Sequence, residues 1–301
     1  MPERVTIVEV APRDGLQAEA QVVSAEDKVA FIERLAAAGH RVIEATSFVS
    51  PEAVPQLADA EKVAARLPRR PGLRHVAFVP NERGLERALA AGMTDVAFFA
   101  SATETYSVKN VGRTRAEVLD ALASLVARAR GSGLRVRAYL AMALGDPWEG
   151  PAPAGATLAQ AERLLELGID ELAIGDTLGS GTPRQVQELI GAILDTGARA
   201  DRLAVHFHDT YGQALANVLV ALELGVTTID ASAGGIGGSP FAKAAAGNLA
   251  TEDLVWMLDG LGVETGVDAV KVAEAATWMC GLLGREPPGR ATRALAGRSA
   301  G

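Results

Sequence analysis

Short apolar runs and helical patterns alternate eight times along this chain, and few folds accommodate that rhythm. The predicted strands are Val5–Val10, Val42–Phe48, Arg74–Val79, Asp95–Ser101, Leu134–Ala143, Glu171–Gly175, Leu203–His208 and Thr228–Ala233. Between and after them, helical spacing predicts helices from Ala25 to Ala38 and at Val54–Leu67, Glu82–Ala91, Arg115–Arg130, Thr157–Leu167, Pro183–Asp195, Ala214–Leu224 and Thr251–Leu261. Punctuation agrees: Ser24 with Asp27 three residues on opens the first helix, and Gly39, Gly92, Gly168 and Gly225 follow helix ends. Regular βα alternation implies a parallel sheet, and eight units favour closure into a (β/α)8 TIM barrel with a C-terminal helical extension. The alternative is an open doubly wound sheet. No Gly-x-Gly-x-x-Gly follows the first strand, which weakens a dinucleotide-binding reading, and Gly234–Gly238 lacks the lysine and hydroxyl of a phosphate-binding P-loop. Residues 1–284 read as a single barrel domain, and 285–301, rich in Arg, Pro, Gly and Ala, as a flexible tail. The apolar segment Val270–Leu283 is expected to pack on the barrel or against a second subunit.

The 301 residues are 49% hydrophobic and carry a net charge of −8, with no basic block before the tail. That argues against a nucleic-acid partner. An anionic substrate would need a local arginine, lysine or metal ion. No apolar run reaches transmembrane length and no signal peptide is evident, so no membrane partner is expected. The single cysteine, Cys280, rules out a disulfide within the chain and fits a cytoplasmic setting.

The stretch Leu203-Ala-Val-His-Phe-His-Asp-Thr-Tyr-Gly-Gln213 holds two of only four histidines. At i and i+2 on a strand, His206 and His208 point to one face, about 6–7 Å apart. A TIM-barrel site lies at the carboxyl ends of the strands. That mouth collects Arg13, Asp14 and Gln17 from the first unit, and Glu44, Thr46 and Phe48 on one alternation with Ser47 nearby from the second. It also gathers Ser101, Glu104, Lys109 and Asn110, then Asp176 and Thr177, then His206, His208 and Asp209, and last Ser239, Asn248 and Glu252. So dense a polar lining points to an enzyme.

Asp14 with His206 and His208 makes an oxygen-plus-two-imidazole set, to which Asn248 adds an amide oxygen. This suits a six-coordinate Mg2+ or Mn2+ with positions left for substrate. Taken singly, Asp14 before Gly15 also fits a turn, and Asn248 a helix cap. Arg13 sits where a developing enolate needs a cation, or forms a plain ion pair. A carboxylate inside a strand is costly alone, so Glu44 is expected to pair with Arg13. Asp176 either handles ligand or proton, or caps a turn. Ser239 is turn chemistry, or a side chain that a lid loop brings over the substrate.

These stretches also resemble a known family. Val8-Glu-Val-Ala-Pro-Arg-Asp-Gly-Leu-Gln17 and His206-Phe-His-Asp-Thr-Tyr-Gly-Gln213 are similar to the two motifs of the metal-dependent 3-hydroxy-3-methylglutaryl-CoA lyase family. Ile43–Pro51, Ile174–Gly179 and Gly247–Asp253 extend the likeness over roughly residues 5–285. The resemblance implies a single barrel and cleavage of the acyl-CoA substrate into acetyl-CoA and acetoacetate, with Mg2+ or Mn2+ as cofactor. It implies Asp14, His206, His208 and Asn248 as metal ligands. It implies catalytic parts for Arg13, Asp14, Glu44, Asp176, His206 and Ser239, and Arg13, Gln17 and Ser47 are expected to bind substrate. A homo-oligomer such as a dimer is expected. One departure stands out: the family's glycine-rich loop carries a cysteine where this chain has Ser239. An alcohol is a far weaker acid than a thiol. That leaves open a related 3-hydroxy-acyl-CoA substrate and, further off, a condensing synthase or a non-catalytic acyl-CoA-binding protein.

Overall fold

In the computed structural model, which describes residues 1–239 and 242–296 (backbone only at 239, 242–246 and 296), eight parallel strands close into a barrel. They are β1 (Thr6–Glu9), β2 (Val42–Ser47), β3 (Arg74–Phe78), β4 (Asp95–Ser101), β5 (Arg135–Ala141), β6 (Glu171–Asp176), β7 (Leu203–Phe207) and β8 (Thr228–Ala231). Each pairs with its sequence neighbours, and β8 returns to β1 in the register Thr6 to Thr228. Helices α1 (Ala25–Ala37), α2 (Ala60–Ala64), α3 (Glu82–Ala90), α4 (Glu104–Val111), α5 (Arg115–Gly131), α6 (Ala154–Glu166), α7 (Pro183–Asp195), α8 (Ala214–Glu223) and α9 (Thr251–Gly260) follow the strands, and α10 (Ala269–Leu282) and α11 (Arg290–Ala296) close the chain. The barrel is the expected (β/α)8 architecture. No helix among the described residues is long and apolar enough to cross a membrane.

Two layers hold it together. Outward residues such as Ile7, Val96, Leu140, Leu172 and Val205 pack under the helices. Inside, Val8, Val10, Val42, Val76, Ala97, Tyr139, Ala173 and Ala204 fill the bore. The interior alanines leave the volume that Tyr139 and the neighbouring Arg137 occupy, a large-against-small arrangement that keeps packing dense.

Four departures from expectation shape the site. First, a bulge between Glu44 and Thr46 shifts the β2 register, so Thr46 pairs with Ala77 and Ser47 with Phe78. One extra residue reverses the alternation. Ser47, not Thr46 or Phe48, therefore shares the inward face with Glu44; Phe48 packs in the outer core. Second, the helix expected at Val54–Leu67 is a short turn at Pro55–Leu57 followed by the five residues of α2. Lys28 draws off the Gln56 carbonyl and the Asp59 carboxylate, so that backbone acceptor is not free for a helical ladder. Third, Lys109 and Asn110 lie on α4 instead of a loop. Fourth, the segment expected as a mobile tail contains α11, whose first backbone N–H groups donate to the Asp253 carboxylate and whose Thr292 is fully buried.

Candidate active site

The end of β1 does not run straight on into a loop. The backbone N–H groups of Arg13, Asp14 and Gly15 all point at the Val10 carbonyl, at 3.2, 2.8 and 3.2 Å, forming one wide turn over Ala11–Gly15. Such turns of π geometry re-aim side chains within a very short length of chain. Here the turn brings Arg13 and Asp14 over the mouth. Gly15 makes the approach possible: a Cβ there would lie 2.9 Å from the Ile236 carbonyl oxygen.

One strand beyond β8 along the barrel wall, β7 carries His206, and His208 follows directly after its end, their rings 5.4 Å apart. One ligand atom from each of Asp14, His206 and His208 falls within 4.8 Å of the others, at the mouth over the first, eighth and seventh strands. The segment after the glycine-rich loop runs back along the β7 end, with Asp209 N–H donating to Gly247 O at 2.7 Å and Leu249 N–H to Phe207 O at 3.2 Å. That pairing sets Asn248 beside His208, and its amide donates to Asp14 Oδ2 at 2.9 Å. Gly237, at φ +121°, passes so near that a Cβ would lie 2.7 Å from the Asn248 amide nitrogen. Asp14, His206, His208 and Asn248 are thus brought together.

Their electrostatics suit a cation. Burial alone would raise the Asp14 carboxyl, but Arg13 and then the two histidines outweigh it and hold it at about 2. Burial, with the neighbouring His206 adding to it, drops His208 to about 4, so its ring is neutral at pH 7. Its Nδ1 is buried with no hydrogen-bond partner among the described residues. An ionised carboxylate beside the neutral imidazole of His208, whose Nδ1 has no partner among the described residues, is a donor pair that a divalent ion satisfies.

Arg13 bridges two acids. Its guanidinium lies 2.8 Å from Asp14 Oδ1 and 2.6 Å from Glu44 Oε2, and it lies over the Phe78 ring at 4.7 Å. Glu44 is wholly buried, and burial pushes its carboxyl up against the pull of Arg13. This is the partner that a buried strand carboxylate requires. Ser47 Oγ is buried with no partner among the described residues, and Gln17 sits half-buried just beyond the wide turn.

Asp176 ends β6 and accepts from the Gly179 and Gly181 N–H groups at 3.0 and 2.8 Å, so its carboxylate caps the following turn. Burial outweighs those bonds and lifts it to about 6. Several other expected lining residues are engaged elsewhere. Glu104 pairs with Arg115, Ser101 with the Thr103 backbone, and Asp209 with the Ala214 N–H and Arg290. Glu252 accepts from Gly234 N–H and holds the base of the glycine-rich loop. Lys109 lies over the Trp148 ring at 5.0 Å. The Ser239 backbone forms part of a two-stranded ribbon over Gly238–Ser239, and its side chain lies outside the described residues.

Sequence reasoning missed Asp230 and Tyr139, both in contact with this cluster. Asp230, in the middle of β8, lies 3.0 Å from His206 Nδ1 and accepts from Arg137 at 2.5 Å. No motif spacing marks it; the one available signal was a carboxylate inside an apolar strand, the same signal that drew attention to Glu44.

The HMGL-like family model matches residues 4–279. The cytoplasmic 3-hydroxy-3-methylglutaryl-CoA lyase of Danio rerio is 47% identical over 98% of this chain and 88% of its own length. The hydroxymethylglutaryl-CoA lyase structure from Pseudomonas aeruginosa superposes with a TM-score of 0.96 at 41% identity, covering 99% of both chains. An HMG-CoA lyase structure from Acinetobacter baumannii, in complex with coenzyme A and 3-methylmalate, superposes with a TM-score of 0.92 at 34% identity, over 97% of this chain and 95% of that one.

Proposed function

The chain belongs to the HMGL-like family, and from that premise we propose that it cleaves 3-hydroxy-3-methylglutaryl-CoA into acetyl-CoA and acetoacetate. The observation that carries the reading is the convergence of Asp14, His206 and His208 beside a buried arginine. Asp14, His206, His208 and Asn248 would hold Mg2+ or Mn2+, the last through its amide oxygen after a half-turn from the N–H now facing Asp14. When bound, such an ion would supply Lewis-acid chemistry to the substrate's oxygens.

The protein's own groups do the rest. Asp14 takes the proton from the C3 hydroxyl; a His206 whose one lone pair serves the ion has none left for a proton. The electron pair of that O–H bond becomes the ketone C=O of acetoacetate as the C2–C3 bond breaks. Its pair passes to C2 and the thioester oxygen. Arg13 is the cation placed to meet that charge, and it needs no reorganisation because Glu44 and Asp14 hold the guanidinium on two sides. Glu44 therefore serves by orienting Arg13. Asp176 stiffens the β6 turn, and its raised carboxyl is suited to proton exchange near neutrality. Ser47 and Gln17 contact substrate from the β2 and β1 ends. Protonation of C2 completes acetyl-CoA, with Ser239 taking part through water or a relay, since its hydroxyl is too weak an acid to act as a thiol does.

Purified protein with Mn2+ is expected to release acetoacetate and acetyl-CoA in equal amounts from hydroxymethylglutaryl-CoA. No product with Mg2+, Mn2+ or Co2+ would reject the reading. Ser239 favours a second reading, a lyase for a related 3-hydroxy-acyl-CoA, which requires faster turnover of another substrate in the same assay. The single cysteine and the cytoplasmic relative support a cytoplasmic setting. The exposed Val270 and Leu282 on α10 support a homodimer, which sedimentation would test.

A further inference from the structure

A chain of buried charges crosses the otherwise apolar bore of the barrel below the site. Arg137, on the inward face of β5, is buried and reaches across to Asp230 on β8 at 2.5 Å. Its Nε lies 3.1 Å from Glu171 of β6. The other Asp230 oxygen lies 3.0 Å from His206 Nδ1. The Asp230 side chain is wholly inaccessible to solvent. The Arg137 guanidinium, always charged and in direct contact with Oδ1, makes this side chain an ion-paired carboxylate. An ionised carboxylate only accepts hydrogen bonds. His206 must therefore carry its hydrogen on Nδ1, and in the neutral ring Nε2 holds the lone pair. That nitrogen lies 3.9 Å from Asp14 Oδ2, toward the candidate metal centre. Tyr139 packs against this pair: its ring meets His206 edge-on at 5.6 Å between centroids, with Arg137 over it at 5.0 Å.

We infer that Asp230, held by Arg137, is the positioning residue that fixes His206 with Nε2 as an electron-pair donor aimed at the Asp14–His208 centre. Neither residue faces the substrate. Arg137 fixes the carboxylate, the carboxylate fixes the tautomer and rotation of the ring, and the ring presents one lone pair. Outer partners of metal-bound histidines typically change affinity about 10–100-fold when removed. The inference rests on the metal-dependent lyase reading only where affinity is concerned; the tautomer stands independently of it.

The test uses the full chain with 15N-labelled histidine. In metal-free protein, at a pH where His206 is neutral, long-range proton–nitrogen spectra are expected to show the Nδ1–H form for His206 in wild type. In Asp230→Asn the amide can donate as well as accept, and the Nε2–H form is expected to appear. Calorimetric titration with Mn2+ is expected to show affinity about 10–100-fold weaker in Asp230→Asn, with partial recovery in Asp230→Glu. An Nε2–H tautomer in wild type overturns the inference even if the variants do not fold. Unchanged tautomer and unchanged Mn2+ affinity in a folded Asp230→Asn overturn it too. Wild type that shows Nδ1–H but takes up no Mn2+ supports the positioning role and counts against the metal reading instead.

Discussion

The two ends of the barrel are both charged, yet they solve the problem of buried charge in opposite ways. At the amino-terminal floor, Arg74 pairs with Asp95 at 2.7 Å and Arg137 with Glu171 at 3.1 Å. These residues line a cavity of only about 10 Å³, about the volume of a single water probe. Each charge there meets its opposite locally. At the mouth, Arg13 is shared between Asp14 and Glu44, and beyond it Asp14, His206 and His208 turn electron pairs toward one point. Paired charge is structure; converging lone pairs are a request for a ligand. Asp230 lies between, with one oxygen on Arg137 and the other on a histidine of the mouth.

The largest effects are expected at the mouth. Asp14→Ala and His208→Ala should abolish calorimetric Mn2+ binding and lower product formation on the order of a thousandfold, since a Lewis acid supplies several kcal/mol to such a reaction. Both variants should keep the far-ultraviolet circular dichroism of wild type. Arg13→Lys should lower kcat on the order of a hundredfold, because an ammonium cannot hold Asp14 and Glu44 at once and still face the substrate. Steady-state kinetics with little change in Mn2+ affinity would place that loss in charge stabilisation.

Ser239→Cys sharpens the account of the missing thiol. It should raise turnover by up to about a hundredfold if proton delivery to C2 limits the rate; an unchanged rate would show that another group or water already serves.

Acid separates the ends further. The unfolded imidazole titrates near 6.5, and burial with the charge of His206 depresses His208 to about 4 in the fold. A depressed folded value favours the neutral ring. Its contribution is therefore present above about pH 6.5 and is lost as pH falls toward 4, by about 3 kcal/mol. On β3, His75 is also depressed to about 4 by burial, but Asp95 works against the shift and the ring is only partly enclosed. In thermal melts of metal-free protein, His208→Gln should flatten the loss of stability between pH 6.5 and 4 more than His75→Gln does. The smallest effect belongs to the floor. Arg74→Ala breaks a half-exposed pair and should cost no more than about 1 kcal/mol in denaturant unfolding, with Mn2+ affinity and turnover unchanged. A metal-binding defect in that variant would break the contrast.

Much of this was readable from residue order, for identifiable reasons. Strand and helix periods located the barrel, because Asp95–Ser101 and Pro183–Asp195 are bounded by strong local signals. The histidine pair was readable because period two on a strand is rigid geometry. What escaped depended on contacts distant in sequence or on one-residue irregularities. The bulge in β2 exchanged Thr46 for Ser47 on the inward face. The tail looked mobile because it lacks large apolar residues; α11 is anchored by backbone donors on Asp253 and by Arg290 on Asp209. Asp230 was invisible because its partner Arg137 stands 93 residues away.

Anomalous diffraction from crystals soaked in Mn2+ tests the central claim most directly. The account predicts one strong peak at the mouth, ligated by Asp14, His206 and His208, with Asn248 turned so that its amide oxygen faces the ion. A peak elsewhere, or none between the first and seventh strands, would contradict it.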